Sequence, residues 1–185
     1  SLHASVSSAD TLDDVKARGT LVVAIDPTFA PYEYTDDSGA ITGYTPAIMA
    51  QVAKSLGVKV EYQKMAFSGI IPALISGSVD AEGSSLNVTA ERAGKVLFVA
   101  PFGKSVNAVM TRADDKRLDP ASLKIESLAG LSAAVKTTSA PEQLVKQFNV
   151  ELKAKGLVPI KIVGVDSVDQ TLSALMTKRA DFILD

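Results

Sequence analysis

Short apolar runs rich in β-branched residues alternate along this chain with apolar stripes spaced three and four residues apart. Leu21–Ile25, Val58–Tyr62, Val79–Gly83, Val106–Thr111, Leu131–Val135, Ile160–Val163 and Phe182–Leu184 read as strands. Between them lie helical patterns with start and stop signals. Thr45-Pro46 reads as an N-cap and first-turn proline for a stripe of Ile48, Met49, Val52, Ala53 and Leu56, stopped by Gly57. Ser68 is placed to cap a helix carrying Ile70, Ile71, Leu74 and Ile75, which Gly77 stops. Ser139 with Glu142 reads as a capping box for a helix with Leu144, Val145, Phe148 and Leu152. Asp166–Lys178 forms another, with Val168, Leu172, Leu175 and Met176 inward. Thr35–Gly43 contains Asp36-Asp37-Ser38-Gly39, a hairpin turn signal.

Strands separated by helices imply an α/β fold with mostly parallel sheets covered on both faces. The polar segment Arg112–Arg117 is the best boundary by composition. It predicts two lobes, 1–110 and 111–185, with a hinge near 108–113 and the second lobe incomplete at the C-terminus. In open α/β sheets ligands sit beyond the C-terminal strand ends. That places Asp26, Ser84–Asn87, Lys136–Ser139 and Asp185 as candidates, drawn from both lobes. A cleft between lobes is their natural meeting place.

Composition excludes several chemistries. The 185 residues carry no cysteine, which removes thiolate metal sites and a cysteine nucleophile. The one histidine, His3, lies in a polar lead that reads as a tail, so neither a Ser-His-Asp triad nor a histidine metal site is expected. A net charge of −2 gives no electrostatic case for nucleic acid. No apolar run approaches the length of a membrane span. No signal peptide is visible, so a secreted protein would be seen here in processed form.

Ser85-Leu86-Asn87-Val88-Thr89-Ala90-Glu91-Arg92 is the most telling segment. Thr89 is a good N-cap, and Arg92 falls in the first turn that follows. A cation there opposes the helix dipole, so something negative should compensate it. A carboxylate ligand would do so, and so would a neighbouring surface acid. On this segment alone both readings stand.

Five segments in order then carry a resemblance over nearly the whole chain. They are Gly19–Ala24 with Asp26 and Pro31-Tyr32-Glu33-Tyr34; Ile41-Thr42-Gly43-Tyr44; Phe67–Leu74; Thr89-Ala90-Glu91-Arg92; and Lys178–Asp181 through Asp185. In these the chain resembles the amino-acid-type periplasmic solute-binding proteins of ABC importers, with their bilobed clamshell fold. The resemblance implies that Arg92 clamps a ligand α-carboxylate, helped by Asn87 and a backbone group at Ser85, and that Asp185 takes the α-ammonium. It implies contacts from Asp26, aromatic walls at Phe29 and Phe67, and an approach from the second lobe by Thr138, Ser139 and Ala140. Lys136 reads as solvated, and Glu82 as facing solvent rather than buried with a partner.

The chain departs from the family at Asn87 (usually Thr or Ser), at Ser85 (often Gly) and at Thr138-Ser139 (often Gly-Thr). It also stops where relatives continue for several dozen residues, as a shortened or split chain would. The implied function is binding of a free amino acid outside the cytoplasm, in the periplasm, and its delivery to a membrane ABC permease. The implied protein has no cofactor, no metal and no catalytic residue, and is a monomer when complete. The alternatives are an enzyme on the same fold, resembling cyclohexadienyl dehydratases with Glu82 or Glu33 as acid, and a ligand-sensing module.

Overall fold

The computed structural model describes residues 11–185, so the polar lead with His3 lies outside the described residues. It divides into two compact units. One comprises the chain up to Met65 together with Gly69–Ser85, and the other comprises Ala66–Ser68 and Leu86–Asp185. This division differs from the expected 1–110 and 111–185.

The first unit opens with α1 (Thr11–Arg18), which the apolar pattern missed because only Val15 is buried in it. Strand β1 (Thr20–Ile25) follows, then the short strands β2 (Thr28–Phe29), β3 (Glu33–Thr35) and β4 (Ile41–Thr42). These three pair antiparallel, and Asp36–Ala40 makes the expected turn between β3 and β4. Helix α2 (Tyr44–Leu56), β5 (Lys59–Lys64), α3 (Phe67–Ile75, whose Phe67 and Ser68 are counted with the second unit) and β6 (Ala81–Glu82) come next. β1 lies between β5 and β6, parallel to both. Val15, Leu21 and Val23 are buried there, with Met49, Val58, Val60, Tyr62 and Ala81 packed against them.

Two helix starts differ from expectation. Gly43, not Thr45, is the N-cap of α2, with φ of 121°. A side chain there would meet the Tyr32 carbonyl oxygen at 2.3 Å, so only glycine fits. Thr45, relieved of the capping role, donates its hydroxyl to the Glu33 carboxylate at 2.8 Å. α3 begins at Phe67, which puts Ser68 inside the helix rather than at its cap. The stops at Gly57 and Gly77 are as expected, both at positive φ. Val52 of the α2 stripe is exposed, while Met49 packs against the core and Ala53 is buried.

The second unit contains α4 (Ala90–Ala93), β7 (Val109–Thr111), a 3-10 turn at Ile125–Leu128, β8 (Ser132–Lys136), α5 (Ala140–Ala154), β9 (Lys161–Val165), α6 (Val168–Met176) and β10 (Phe182–Leu184). The strand order is β7-β10-β8-β9, with β7 antiparallel at the edge and the rest parallel. Alternation along the strands decides which helix each residue meets. Ala133, Val135, Phe182 and Leu184 pack with Val145 and Leu152 of α5. Ala134 and Ile183 turn the other way, to Ala174 and Leu175 of α6. Each large apolar side chain buried this way contributes roughly 1.5–3 kcal/mol.

α6 meets the sheet through Thr171, Ala174 and Leu175, and the first two are small enough to permit close approach. Leu172 and Met176, expected inward, are exposed at 50% and 65%. The charged segment Arg112–Arg117 is fastened to this unit rather than lying between units. Arg112 donates to the carbonyls of Leu175 and Ala180 at 2.9 and 2.8 Å and pairs with Asp115. Arg117 bridges Asp115 to Asp181, whose other oxygen accepts from the N–H and hydroxyl of Ser132. Composition resembled a linker because charged residues look alike in sequence whether solvated or paired.

Candidate functional site

The strand ends deliver the candidate residues as the βα pattern requires. In the first unit, β1 ends just before Asp26 and β6 leads into Ser84 and Ser85. The Asp26 N–H donates to the Ser84 hydroxyl at 2.9 Å, and the Asp26 carboxylate, 3% exposed, accepts from Thr28. Glu33 is 2% exposed. Its carboxylate accepts from the N–H of Ser85 at 2.8 Å, the hydroxyl of Ser85 at 2.9 Å and the hydroxyl of Thr45 at 2.8 Å. A buried carboxylate needs such donors, because desolvation alone would force it to take up a proton. Both donors of Ser85 are therefore directed at Glu33. Phe29 stacks on Tyr32 with centroids 5.1 Å apart, and Tyr32 lies 6.0 Å from Tyr44. Glu82 is half-buried and accepts from the Ser84 N–H at 2.6 Å, so it has a partner where the sequence suggested a solvent-facing acid.

In the second unit, Thr89 caps α4 as expected, its hydroxyl accepting from the Arg92 N–H at 3.2 Å. Two carbonyls hold the Arg92 guanidinium. Nη1 donates to Asn87 O at 2.9 Å and Nη2 to Thr138 O at 2.8 Å. Asn87 thus meets Arg92 through its backbone. Thr138 has φ of 63°, a left-handed conformation, and its carbonyl accepts from Arg92. Ser139 is the buried N-cap of α5 and its hydroxyl accepts from the Glu142 N–H. The expected reciprocal half of that capping box is shifted by one residue, since the Glu142 carboxylate accepts from the Thr138 N–H at 2.9 Å.

The Phe67 ring, 9% exposed, has the Arg92 guanidinium carbon 5.6 Å from its centroid and the Lys136 ammonium 4.2 Å from it. Lys136 closes β8 and Asp185 follows β10, which pairs with β8. Burial raises the Asp185 carboxyl above its ordinary value, while the Lys136 charge opposes that rise. Phe67, Asn87, Arg92, Lys136, Thr138 and Asp185 thus all belong to the second unit. Asp26, Phe29, Ser85, Glu33 and Thr45 belong to the first. Among the described residues no group of acids and histidines is arranged to hold a metal.

Sequence reasoning read Lys136 as solvated and Glu33 as a motif residue and candidate acid, not as the hub of hydrogen bonds that it is. The readable signals were a cation closing an apolar strand and an acid inside an aromatic-rich loop. Neither carries direction without the fold.

A profile of the bacterial extracellular solute-binding proteins, family 3, matches residues 21–158. A probable ABC transporter extracellular-binding protein, YckB of Bacillus subtilis, is 32% identical over 143 residues, which are 75% of this chain and 48% of that protein. A probable amino-acid ABC transporter-binding protein of Haemophilus influenzae is 27% identical over 94% of this chain and 62% of its own length. The chain therefore spans about half to three-fifths of these curated relatives. Among solved structures, the arginine-bound form of truncated ArgBP from T. maritima superposes with a TM-score of 0.83 at 28% identity, over 94% of this chain and 76% of that one. The ancestral amino acid-binding protein AncCDT-1, described as a precursor of cyclohexadienyl dehydratase, gives 0.84 at 29% identity, over 95% and 74%.

Proposed function

Because the chain belongs to the bacterial extracellular solute-binding proteins of family 3, we propose that it takes part in binding a free amino acid outside the cytoplasm for an ABC importer. Arg92 receives the α-carboxylate and Asp185 the α-ammonium. The observation that carries this reading is the fastening of the Arg92 guanidinium by Asn87 O and Thr138 O, with the Phe67 ring beside it. A guanidinium oriented by carbonyls on two loops is ready for a planar carboxylate. A zwitterion that leaves water needs a partner for each of its charges, and Arg92 with Asp185 offers both signs. Micromolar affinity needs about −8 kcal/mol, a scale that a carboxylate fork, a counter-carboxylate and an aromatic wall can reach together.

The names of relatives support the class of ligand, since they include amino-acid, arginine and L-cystine binders. Asp26, Phe29, Ser85 and Ser139 remain proposed ligand neighbours. Their present partners include Thr28 and Ser84, Tyr32, Glu33, and the Glu142 N–H. Members of the family are binding proteins, and we read this chain as non-catalytic. Glu33 and Glu82, the acids nominated for dehydratase chemistry, are engaged with Ser85, Thr45 and Ser84. Among the described residues no helix is long and apolar enough to cross a membrane. A permease partner and a monomeric state complete the proposal.

Calorimetric titration with free amino acids tests it. Saturable heat for at least one of them is the expected result. Dehydration of a cyclic carboxylic acid by the purified protein would instead favour the enzyme reading.

A further inference from the structure

Thr138 is a β-branched residue at φ of 63°, a left-handed conformation that favours glycine and is costly for any other residue. Its neighbours are tied down. The Thr137 N–H and hydroxyl both donate to Val165 O, at 2.8 and 3.1 Å, and the Ser139 N–H donates to Lys136 O at 3.2 Å. Thr138 itself is held through both of its backbone polar groups. Its N–H donates to the Glu142 carboxylate at 2.9 Å, and its carbonyl accepts from Arg92 Nη2 at 2.8 Å. Glu142 lies in the first turn of α5 with its side chain 12% exposed, and its other carboxylate oxygen pairs with Lys146 at 3.1 Å.

These contacts form one line from Lys146 through Glu142 and Thr138 to the Arg92 guanidinium, all within the second unit. Rotating Thr138 toward an ordinary negative φ turns its N–H relative to its carbonyl, so both bonds are kept only near the observed conformation. The acceptor at position 142 therefore offsets the cost of the left-handed backbone and fixes where the Thr138 carbonyl sits. That carbonyl is one of the two that orient the guanidinium fork.

We propose that Glu142 is a positioning residue for carboxylate recognition, which holds the Thr138 carbonyl where that carbonyl orients Arg92. It acts through Thr138 rather than on the ligand. The inference rests on the amino-acid reading above and adds to it a residue outside the proposed ligand neighbours. Ser139 caps α5 through its own hydroxyl, so the helix start keeps a cap acceptor when Glu142 is changed.

The test is calorimetry on the parent, on Glu142→Ala, on Glu142→Gln and on Glu142→Ala combined with Thr138→Gly, with thermal melts to confirm that each folds. The probe is whichever of the common free amino acids binds the parent most tightly, alongside its own α-carboxamide. Glu142→Ala should weaken the amino acid by about 10-fold or more and the amide much less, because the amide lacks the charge that the Arg92 fork receives. A purely structural loss would lower both alike. Glu142→Gln loses the same charge but keeps an acceptor oxygen, so it should stay within about 3-fold of the parent. Glycine takes positive φ without the side-chain cost, so the double variant should bind more tightly than Glu142→Ala. Glu142→Asp, which keeps the charge and shortens the reach, takes the place of Glu142→Ala if the latter does not fold. Unchanged affinity in Glu142→Ala, equal losses in Glu142→Ala and Glu142→Gln, equal losses for acid and amide, or a double variant no tighter than the single one overturns the inference and leaves the amino-acid reading standing. If no free amino acid binds the parent, both fail together.

Discussion

The Arg92 guanidinium donates to the carbonyl oxygen of Thr138, 46 residues further along the chain, at 2.8 Å. A second bond, to Asn87 O at 2.9 Å, fixes the orientation of the fork. Arg92 is thereby joined to the loop that follows β8, and that loop also carries the N-cap of α5. A long flexible side chain so held has already lost much of its rotamer freedom before any ligand arrives.

Removing this group should cost most of the binding. Arg92→Ala is expected to weaken amino-acid binding by about 2–5 kcal/mol, the scale for truncating one member of a desolvated charge pair. Arg92→Lys should fall between the parent and Arg92→Ala, since an ammonium cannot reach both carbonyls and a carboxylate in one plane. Calorimetry on both variants checks this, and unchanged affinity in Arg92→Ala would remove the residue from the site.

Glu33 is expected to matter for the stability of the first unit. Its carboxylate accepts from the N–H and hydroxyl of Ser85 and from the hydroxyl of Thr45. Glu33→Gln replaces one acceptor oxygen by an NH2 that faces donors, at a cost of about 1–3 kcal/mol. Denaturant unfolding measures the loss directly. A variant as stable as the parent would show that these contacts are not formed in solution.

Gly43→Ala should also be destabilising. The backbone there has φ of 121° and ψ of −171°, and an added Cβ would lie 2.3 Å from the Tyr32 carbonyl oxygen. The conformation alone costs a residue with a side chain about 1–3 kcal/mol, before the clash is relieved. The expected readout is a lower melting temperature, whereas Gly39→Ala, with open space around it, should lose less.

Acid should weaken the second unit through Asp115 and Asp181. Hydrogen bonds from Arg117 hold the Asp115 carboxyl far below the usual range. Burial pushes Asp181 up, but the bonds from Arg117 and Ser132 together outweigh it and hold it low. A depressed carboxyl contributes stability that is present above its unfolded value and is lost as pH falls through the folded one. The loss should begin as pH falls below the ordinary aspartate value of about 4 and grow as the pH falls further, because both groups are held lower in the folded chain. Asp181→Asn should be less stable than the parent near neutrality and show a flatter pH dependence in acid, measured by denaturant melts across that range.

Much of this molecule is legible in its sequence, and the remainder fails for identifiable reasons. Ala133, Val135, Phe182 and Leu184 alternate with Ala134 and Ile183, and period two settles the two faces once α5 and α6 are placed. Thr89 and Ser139 announce their helices by side-chain chemistry alone. Leu172 and Met176 mislead, because a helix that meets its sheet through Ala174 leaves larger neighbours outside. The Arg112–Arg117 segment misleads for a different reason, since its charges reach partners over long sequence distances, as Arg117 does at Asp181. At the candidate site, Arg92 could be picked out from its position after Thr89. Its partner at Thr138 O and the cation at Lys136 depend on how the β8 loop returns, which no local pattern encodes.

The most direct test compares a bound amino acid with its own α-carboxamide on the unmodified protein. The two differ only in the charge that the Arg92 fork is proposed to receive. Calorimetry should show the amino acid bound and the amide weakened by about 2–5 kcal/mol, or not bound at all. Equal affinity for acid and amide would contradict carboxylate recognition at Arg92, and the proposed function with it.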